Sequence, residues 1–429
     1  MKLHIGTGRE IITPKIGGNL LGYRQDIYSD SVHDDLTVTA IAFVYGDTKA
    51  LLISATVCLV DASIVDELRA IIQDKTGVRH VILAATHTHS GPVTARLPGW
   101  GEVDRPYVDE VFIPGCVKAA LQALKVQKPA RMGIGTTKSD VGANRRQIVE
   151  DGSTILGRNP WGLYDPTMTV VAFQDVEGNP LANIIHYGAH CTAAGANHEI
   201  TRDWIGIMTD RLEKESSAIT AFVNGTLGDV GPKLSNGISI GDIGHVIEMG
   251  SLAAFDAVQA YGRIRNYSEA DCTVVTGEIR IPYEPLMSLA QAKDEIVKYD
   301  EVPPHNIELA KYLTLKEIIA LHESGQEGPR EKVLNQTLIR VGSVVFVPFP
   351  FEVFSEIGLR LRAFSPYEHT LSMSCTNGSN GYLPDQSQIC RGGYEVDVFH
   401  WLNTKRLPDD TDTRIINENL KLLNKADVQ

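Results

Sequence analysis

The chain lacks any apolar run long enough to cross a bilayer, so no helical membrane span is expected. It also lacks a basic block. Its 53 acidic residues outnumber 40 basic ones and leave a net charge of −13. Such a surface repels phosphate backbones, so nucleic acid is not an expected partner, and no membrane partner is expected either. Cysteine is sparse. Cys58, Cys116, Cys191, Cys272, Cys375 and Cys390 are scattered without CxxC spacing, which fits reduced, partly buried thiols better than a disulfide frame. The opening Met1-Lys-Leu-His-Ile-Gly6 has neither the apolar core nor the cleavage site of a secretion signal, and the expected location is the cytoplasm. There is no internal repeat, low-complexity tract or strong linker.

What is present is a chain of 429 residues, 43% apolar and 22% charged, enough for one large α/β domain or two fused ones. Leu36 to Val44 and Ala50 to Val57 are apolar and β-branched around Tyr45-Gly-Asp-Thr48, a hairpin signal. Ser63 to Lys75 has helical spacing and is followed by Gly77. A strand over Val81 to Ala85 and a helix over Val108 to Val126 come next. Thr167 to Gln174 and Leu181 to Tyr187 form a second hairpin around Glu177-Gly-Asn179. Asp203 to Ser216 reads as a helix, Ala221 to Asn224 as a strand and Ile243 to Tyr261 as a helix. The charged, helix-prone segment 285–332 reads as an excursion between strands, either a lid or a packing arm. Thr337 to Phe346 holds two apolar runs about Gly342-Ser343, and helices are expected over Phe351 to Phe364 and Arg414 to Lys425. Strands alternate with helices but hairpins interrupt the alternation. The expected fold is therefore α/β, with a mixed sheet covered by helices around one main core.

The most informative stretch is His80–Pro92, a short apolar strand ending in His87-Thr-His89-Ser-Gly-Pro92. Side chains at i and i+2 share a strand face, so His87 and His89 can converge on one point. Paired imidazoles at a strand end can begin a zinc site, but ordinary polar residues at a sheet edge give the same pattern. A second cluster follows another apolar strand and holds His186, His190 and Cys191, with His198 and a plausible N-cap, Asp203, shortly after. Glu352 is the one acid in an apolar stretch leading into a helix. It is either a first-turn carboxylate favoured by the helix dipole or a metal ligand, since an unpaired buried carboxylate is costly. A Gly-rich segment carries Tyr382 and is followed by Tyr394-Glu395. Arg145 is either an exposed arginine without a role or a holder of a substrate carbonyl or carboxylate, and Asn224–Pro232 is either a plain tight turn or a turn that lines the pocket.

In series, these segments resemble the neutral/alkaline non-lysosomal ceramidase family. The carrying residues are Thr86–Pro92, Asn144-Arg145, His190-Cys-Thr192 with Asp203-Trp-Ile-Gly206, Gly228-Asp-Val-Gly-Pro232, Pro350-Phe-Glu352, and Gly381-Tyr382 with Tyr394-Glu395. Ile5-Gly-Thr-Gly8, Ile11–Pro14 and Gly22-Tyr23 match the family's start. The resemblance implies a ceramidase-catalytic-domain-like fold and one zinc ion per chain on His87, His190, Glu352 and Tyr382, with His186 as the alternative to His190. It implies cleavage of a carbon–nitrogen amide bond by metal-bound hydroxide. His89 would be the acid/base, Arg145 and Tyr382 would meet the oxyanion, and Arg145, Asp229 and Gly231 would bind substrate.

Three departures bear on the substrate. Gly231 stands where the family has serine, Leu383-Pro384 stand where it has threonines, and the chain stops where a C-terminal immunoglobulin-like domain would begin. The expectation is a single ceramidase-like domain over residues 1–429, acting on a small soluble amide rather than ceramide. An esterase or lactonase on the same site, and an inactive metal- or ligand-binding relative, are the alternatives. A TIM-barrel amidohydrolase is disfavoured by the hairpins, and a metallo-β-lactamase by Ser90-Gly-Pro92. The oligomeric state is open.

Overall fold

The computed structural model describes residues 1–303 and 305–425. Its larger sheet has eight strands, in the order Ile219–Asn224, Pro180–Tyr187, Thr167–Asp175, Lys128–Lys138, His4–Ile11, Thr37–Tyr45, Thr48–Ala55, His80–Ala85. The first predicted hairpin is present, with pairing continued to Tyr45 and Thr48 across a two-residue turn that begins at Gly46, φ 58°. Most pairs are antiparallel, but each edge pair is parallel and crossed by a helix. Ala62–Thr76 links Thr48–Ala55 to His80–Ala85, and Trp204–Ser216 links Pro180–Tyr187 to Ile219–Asn224. The two halves meet in the middle through only two register pairs. Their far ends are tied together as well. Ser54 Oγ donates to the Phe222 carbonyl (2.6 Å) and Asn224 Nδ2 to the Thr86 carbonyl (3.0 Å). The ends of the His80–Ala85 and Pro180–Tyr187 strands are thereby brought to one place.

A second sheet runs in the order Cys272–Pro282, Glu331–Val341, Val344–Pro348, His369–Met373. Its apolar face joins both halves of the larger sheet in one core, where Phe43, Phe173 and Phe346 meet. Outside that core, Ala62–Thr76 and Ile113–Lys125 cover the first half, while Trp204–Ser216 and Ile243–Gly262 cover the second. Ser355–Phe364 and Thr411–Lys425 cover the smaller sheet.

Several boundaries differ from expectation. His4–Ile11 and Lys128–Lys138 are strands that the pattern hides because glycine interrupts it. A Cβ at Gly6, Gly8 or Gly135 would collide with the carbonyls of Ala123, Ala119 and Ala260, so helices lie directly on these strands. The helix expected over Val108 to Val126 contains a π turn at Val108–Phe112, because Pro114 has no N–H to offer the preceding turn. The helix expected from Phe351 begins only at Ser355. Glu352-Val353 is instead a short strand pairing in parallel with Tyr382-Leu383. The excursion forms helices Leu289–Ile296 and Asn306–Ser324, whose own small cluster includes Trp401. Asn306 N–H donates to the Gly99 carbonyl (2.7 Å) and Lys311 Nζ to Asp397 (3.1 Å), so it is docked as an arm. No helix among the described residues is long and apolar enough to cross a membrane.

Candidate active site

The sequence brings the two histidines of the first motif together, but not by strand alternation. The strand ends at Ala85, and His87 sits in the left-handed region at φ 72°. Its backbone N–H donates to the Val57 carbonyl (2.9 Å), and Thr88 bridges to Cys191. The two motifs are thus paired chain to chain. His87 and His89 face each other with Nε2 atoms 3.3 Å apart, and the His87 and His190 rings lie 4.8 Å apart.

Three donor atoms converge. Glu352 Oε2 lies 3.0 Å from His190 Nε2 and 3.4 Å from His87 Nε2. All three side chains are buried. Each imidazole's other nitrogen faces backbone. His87 Nδ1 is 3.0 Å from the Cys58 carbonyl, and His190 Nδ1 is 2.9 Å from the carbonyls of Leu227 and Val230. A carbonyl can only accept, so each Nδ1 carries a proton and each Nε2 is turned to the carboxylate. A buried carboxylate facing two imidazoles calls for a positive charge, either a proton on His87 or a metal ion in its place. Two imidazoles held by backbone carbonyls plus one carboxylate suit zinc. The parallel pairing puts Glu352 in register with Tyr382, whose hydroxyl is 3.4 Å from His190 Nε2. A second potential group, Cys58 with His87 and His89, fits less well. Burial pushes the Cys58 thiol up, and the His87 nitrogen nearest it already donates to a carbonyl.

The two ligand imidazoles differ: burial would lower His87, but the neighbouring Cys375, Cys58 and Glu352 raise it well above the ordinary imidazole value. Burial, then the Arg145 charge, lowers His190 to about 3 and keeps it neutral. Burial would raise Glu352, but the facing His87 and His190 hold its carboxyl well below the usual range. Burial, His87 and His190 hold His89 well below the ordinary imidazole value. Arg145 Nη2 donates to the Tyr382 hydroxyl (2.9 Å), and its Nε donates to Glu395 (2.9 Å). Arg146 Nη1 takes the other oxygen of Glu395 (2.6 Å), completing a buried Arg–Glu–Arg triad.

A family model for the N-terminal part of neutral/alkaline non-lysosomal ceramidases matches residues 3–251, more than half of the chain. The chain belongs to this ceramidase family. It is similar to neutral ceramidase A of Dictyostelium discoideum, 28% identical over 255 residues, a match covering 53% of this chain and 35% of that protein. The neutral ceramidase of Pseudomonas aeruginosa is 27% identical over 169 residues, or 36% of this chain and 25% of that one. These sequence matches thus span about a third or less of the length of the relatives. In fold it matches the crystal structure of the Pseudomonas aeruginosa neutral ceramidase at TM-score 0.73 and 17% identity, over 98% of this chain and 73% of that one. A ceramidase complexed with C2 matches at TM-score 0.75 and 16% identity, over 99% and 75% of the respective chains. The α/β expectation and the ceramidase-like fold agree with these matches.

Within this ceramidase-family chain, the residues read from the sequence divide. His87, His190, Glu352, Tyr382, His89 and Arg145 meet at one point. His186 does not join them, because its Nε2 is spent on the Ser372 carbonyl (2.8 Å). His198 is exposed and faces the Tyr28 carbonyl. Asp229, expected to bind substrate, is buried and fully engaged. One oxygen accepts from Ser355 N–H and Oγ (2.8 Å each) and the other from Asn144 Nδ2 (3.2 Å), so it fixes structure. Gly231 offers substrate no side chain, and the space a Cβ would need is filled by Ser239.

Two tyrosines, named from the sequence only as family-matching residues, also join the site. Tyr394 packs edge-on to Tyr382, ring centroids 5.8 Å apart, and is buried to the point that its hydroxyl is pushed well up. Tyr23 packs edge-on to His89 at 5.0 Å, with a buried hydroxyl that has no hydrogen-bond partner among the described residues. Their signal is position, beside Gly22 and Glu395 in motifs otherwise read for their neighbours.

Proposed function

We propose that this chain is a zinc-dependent hydrolase that cleaves the carbon–nitrogen bond of a small amide. The convergence of His87 Nε2, His190 Nε2 and the Glu352 carboxylate carries the reading. A zinc ion on these three residues, with Tyr382 beside them, supplies Lewis acidity toward a carbonyl and toward water. The remaining roles fall to the chain's own groups. Arg145 donates to the Tyr382 oxygen, which leaves the phenolic proton free to meet a developing oxyanion. Arg145 itself is aimed by Glu395. His89, neutral and with Nε2 turned to the ligand cluster, takes a proton there and hands it to the departing nitrogen. The near-complete burial of His87, His190, Arg145, Glu352 and Tyr382 supports a small acyl or amine group in preference to the long chains of ceramide.

The deciding experiment is elemental analysis of protein purified without chelator, followed by turnover of simple anilides, phenyl esters and ceramide. About one zinc per chain and hydrolysis of a small anilide are expected. His87→Ala should lose the metal. His89→Ala should keep it and lose roughly 10²- to 10⁴-fold in rate. Equal loss of metal in both variants would separate His89 from its assigned role, and cleavage of ceramide alone would overturn the small-amide reading.

A further inference from the structure

The strand Val230–Pro232 runs along the site. The Val230 carbonyl holds His190, and the pairing of Gly231 with Ala143 sets the strand beside Arg145. Gly231 has nothing to contribute there. A Cβ built on it would lie 3.5 Å from Arg145 Cβ, so position 231 faces the same wall as the Arg145 side chain. That Cβ would also lie 2.5 Å from Ser239 Cβ and 3.2 Å from Ser239 Oγ. The side chain of Ser239 therefore occupies the volume that any residue larger than glycine at 231 would need. It arrives from the following loop, not from the strand.

The loop is pinned where this matters. Thr192 Oγ1, one residue from Cys191 and two from His190, donates to the Ser239 carbonyl (2.9 Å). Arg158 holds the loop's start through the Leu234 carbonyl (2.5 Å), and Asn236 Nδ2 closes its tip on the Ile240 carbonyl (2.9 Å). Ser239 is only half-buried, and its hydroxyl makes no hydrogen bond within the described protein. A hydroxyl held by its backbone, lacking a protein partner and neighbouring Arg145 is set to meet something that enters from outside.

We propose that Ser239 is a substrate-binding residue, its hydroxyl hydrogen-bonding a polar group of the amide beside Arg145, and that Gly231 is glycine because Ser239 fills its side-chain space. This rests on the hydrolase reading above. The assignment makes positions 231 and 239 a reciprocal pair, in which only one can carry a side chain.

The test is a mutant cycle on the zinc-loaded protein, read by melting temperature, metal content and steady-state hydrolysis of acetyl-4-nitroanilide. Ser239→Ala should raise KM about tenfold with kcat within about twofold, as loss of one hydrogen bond to substrate does, and should leave metal content and melting temperature unchanged. Gly231→Ser alone should lower the melting temperature by several degrees and disturb turnover, because two side chains compete for one volume. The double variant Gly231→Ser/Ser239→Gly should recover the melting temperature and the KM. A Ser239→Ala protein indistinguishable from the parent would overturn the assignment. So would a double variant that recovers stability without KM, since Ser239 would then be packing only. A parent protein that hydrolyses nothing would instead sink the hydrolase reading, and this assignment with it.

Discussion

Gly22 touches His89 so closely that a Cβ built on it would run into the imidazole ring. Its φ of 138° is one that L side chains rarely adopt. Leu21 N–H is anchored on the Gly91 carbonyl (3.0 Å), so the backbone has little room to retreat. Gly22→Ala should therefore push His89 aside, and a displacement of about 1 Å is enough to cost roughly a hundredfold in rate. Zinc content should stay at the parent level, because His87, His190 and Glu352 are untouched. Loss of metal in this variant would mean that His89 helps to hold the ion. The charged neighbour of the site behaves differently. Glu395 holds two buried guanidiniums, so Glu395→Gln leaves Arg145 and Arg146 facing a neutral amide, at a cost of about 3–5 kcal/mol. Unfolding by urea at pH 7 measures it, and a loss under 1 kcal/mol would show that the triad contributes little. At this scale the sequence is legible wherever a role depends on residue type. His87, His190 and Glu352 carry chemistry that few other side chains offer. It is illegible where the role depends on who arrived first. Asp229 looks like a pocket residue until Ser355 and Asn144 are seen to occupy both its oxygens.

Asp229 matters more as a joint between elements. It ties the strand Val230–Pro232 to the start of the helix Ser355–Phe364, directly after the segment that delivers Glu352. Burial raises its carboxyl to about 7, against hydrogen bonds from Ser355 that pull it down, while the ordinary value is 3.8. Asp203, at the head of Trp204–Ser216, is raised to about 6, again chiefly by burial. Both groups bind a proton more tightly in the folded chain than in the unfolded one. Their stabilising contribution is complete below about pH 4 and is lost as pH rises through about 6 to 7. Asp229→Asn, which keeps a neutral group in place, should flatten the fall in melting temperature between pH 4 and 8. An unchanged slope would move the effect to other groups. The elements themselves are legible when their apolar pattern is unbroken, as in Thr37–Tyr45 and Pro180–Tyr187. They are hidden when packing needs glycine in the strand, as at Gly6 and Gly135, or when a two-residue strand such as Glu352-Val353 is too short to have a period.

The larger sheet, the smaller sheet and their helices share one interior, since Phe43, Phe173 and Phe346 come from three separate regions of the chain. We propose that residues 1–429 behave as one cooperative unit. Calorimetry should show a single transition, and two resolved transitions would divide the chain at the second sheet. That sheet was the least legible part of the fold from sequence. Its first strand, Cys272–Pro282, finds its partner only after the helical excursion, so nothing local announces the pairing. The ligands are spread over the same span, and Glu352 lies 162 positions after His190. During synthesis the two imidazoles therefore leave the ribosome well before the carboxylate that faces them. On the proposed zinc reading, a nascent chain at that stage would offer a two-histidine half-site, open to other borderline metals such as copper or nickel. Only when Glu352 and Tyr382 arrive could the choice be made by charge and shape, so the fidelity of loading would become a question of how fast the segment that carries them emerges and folds.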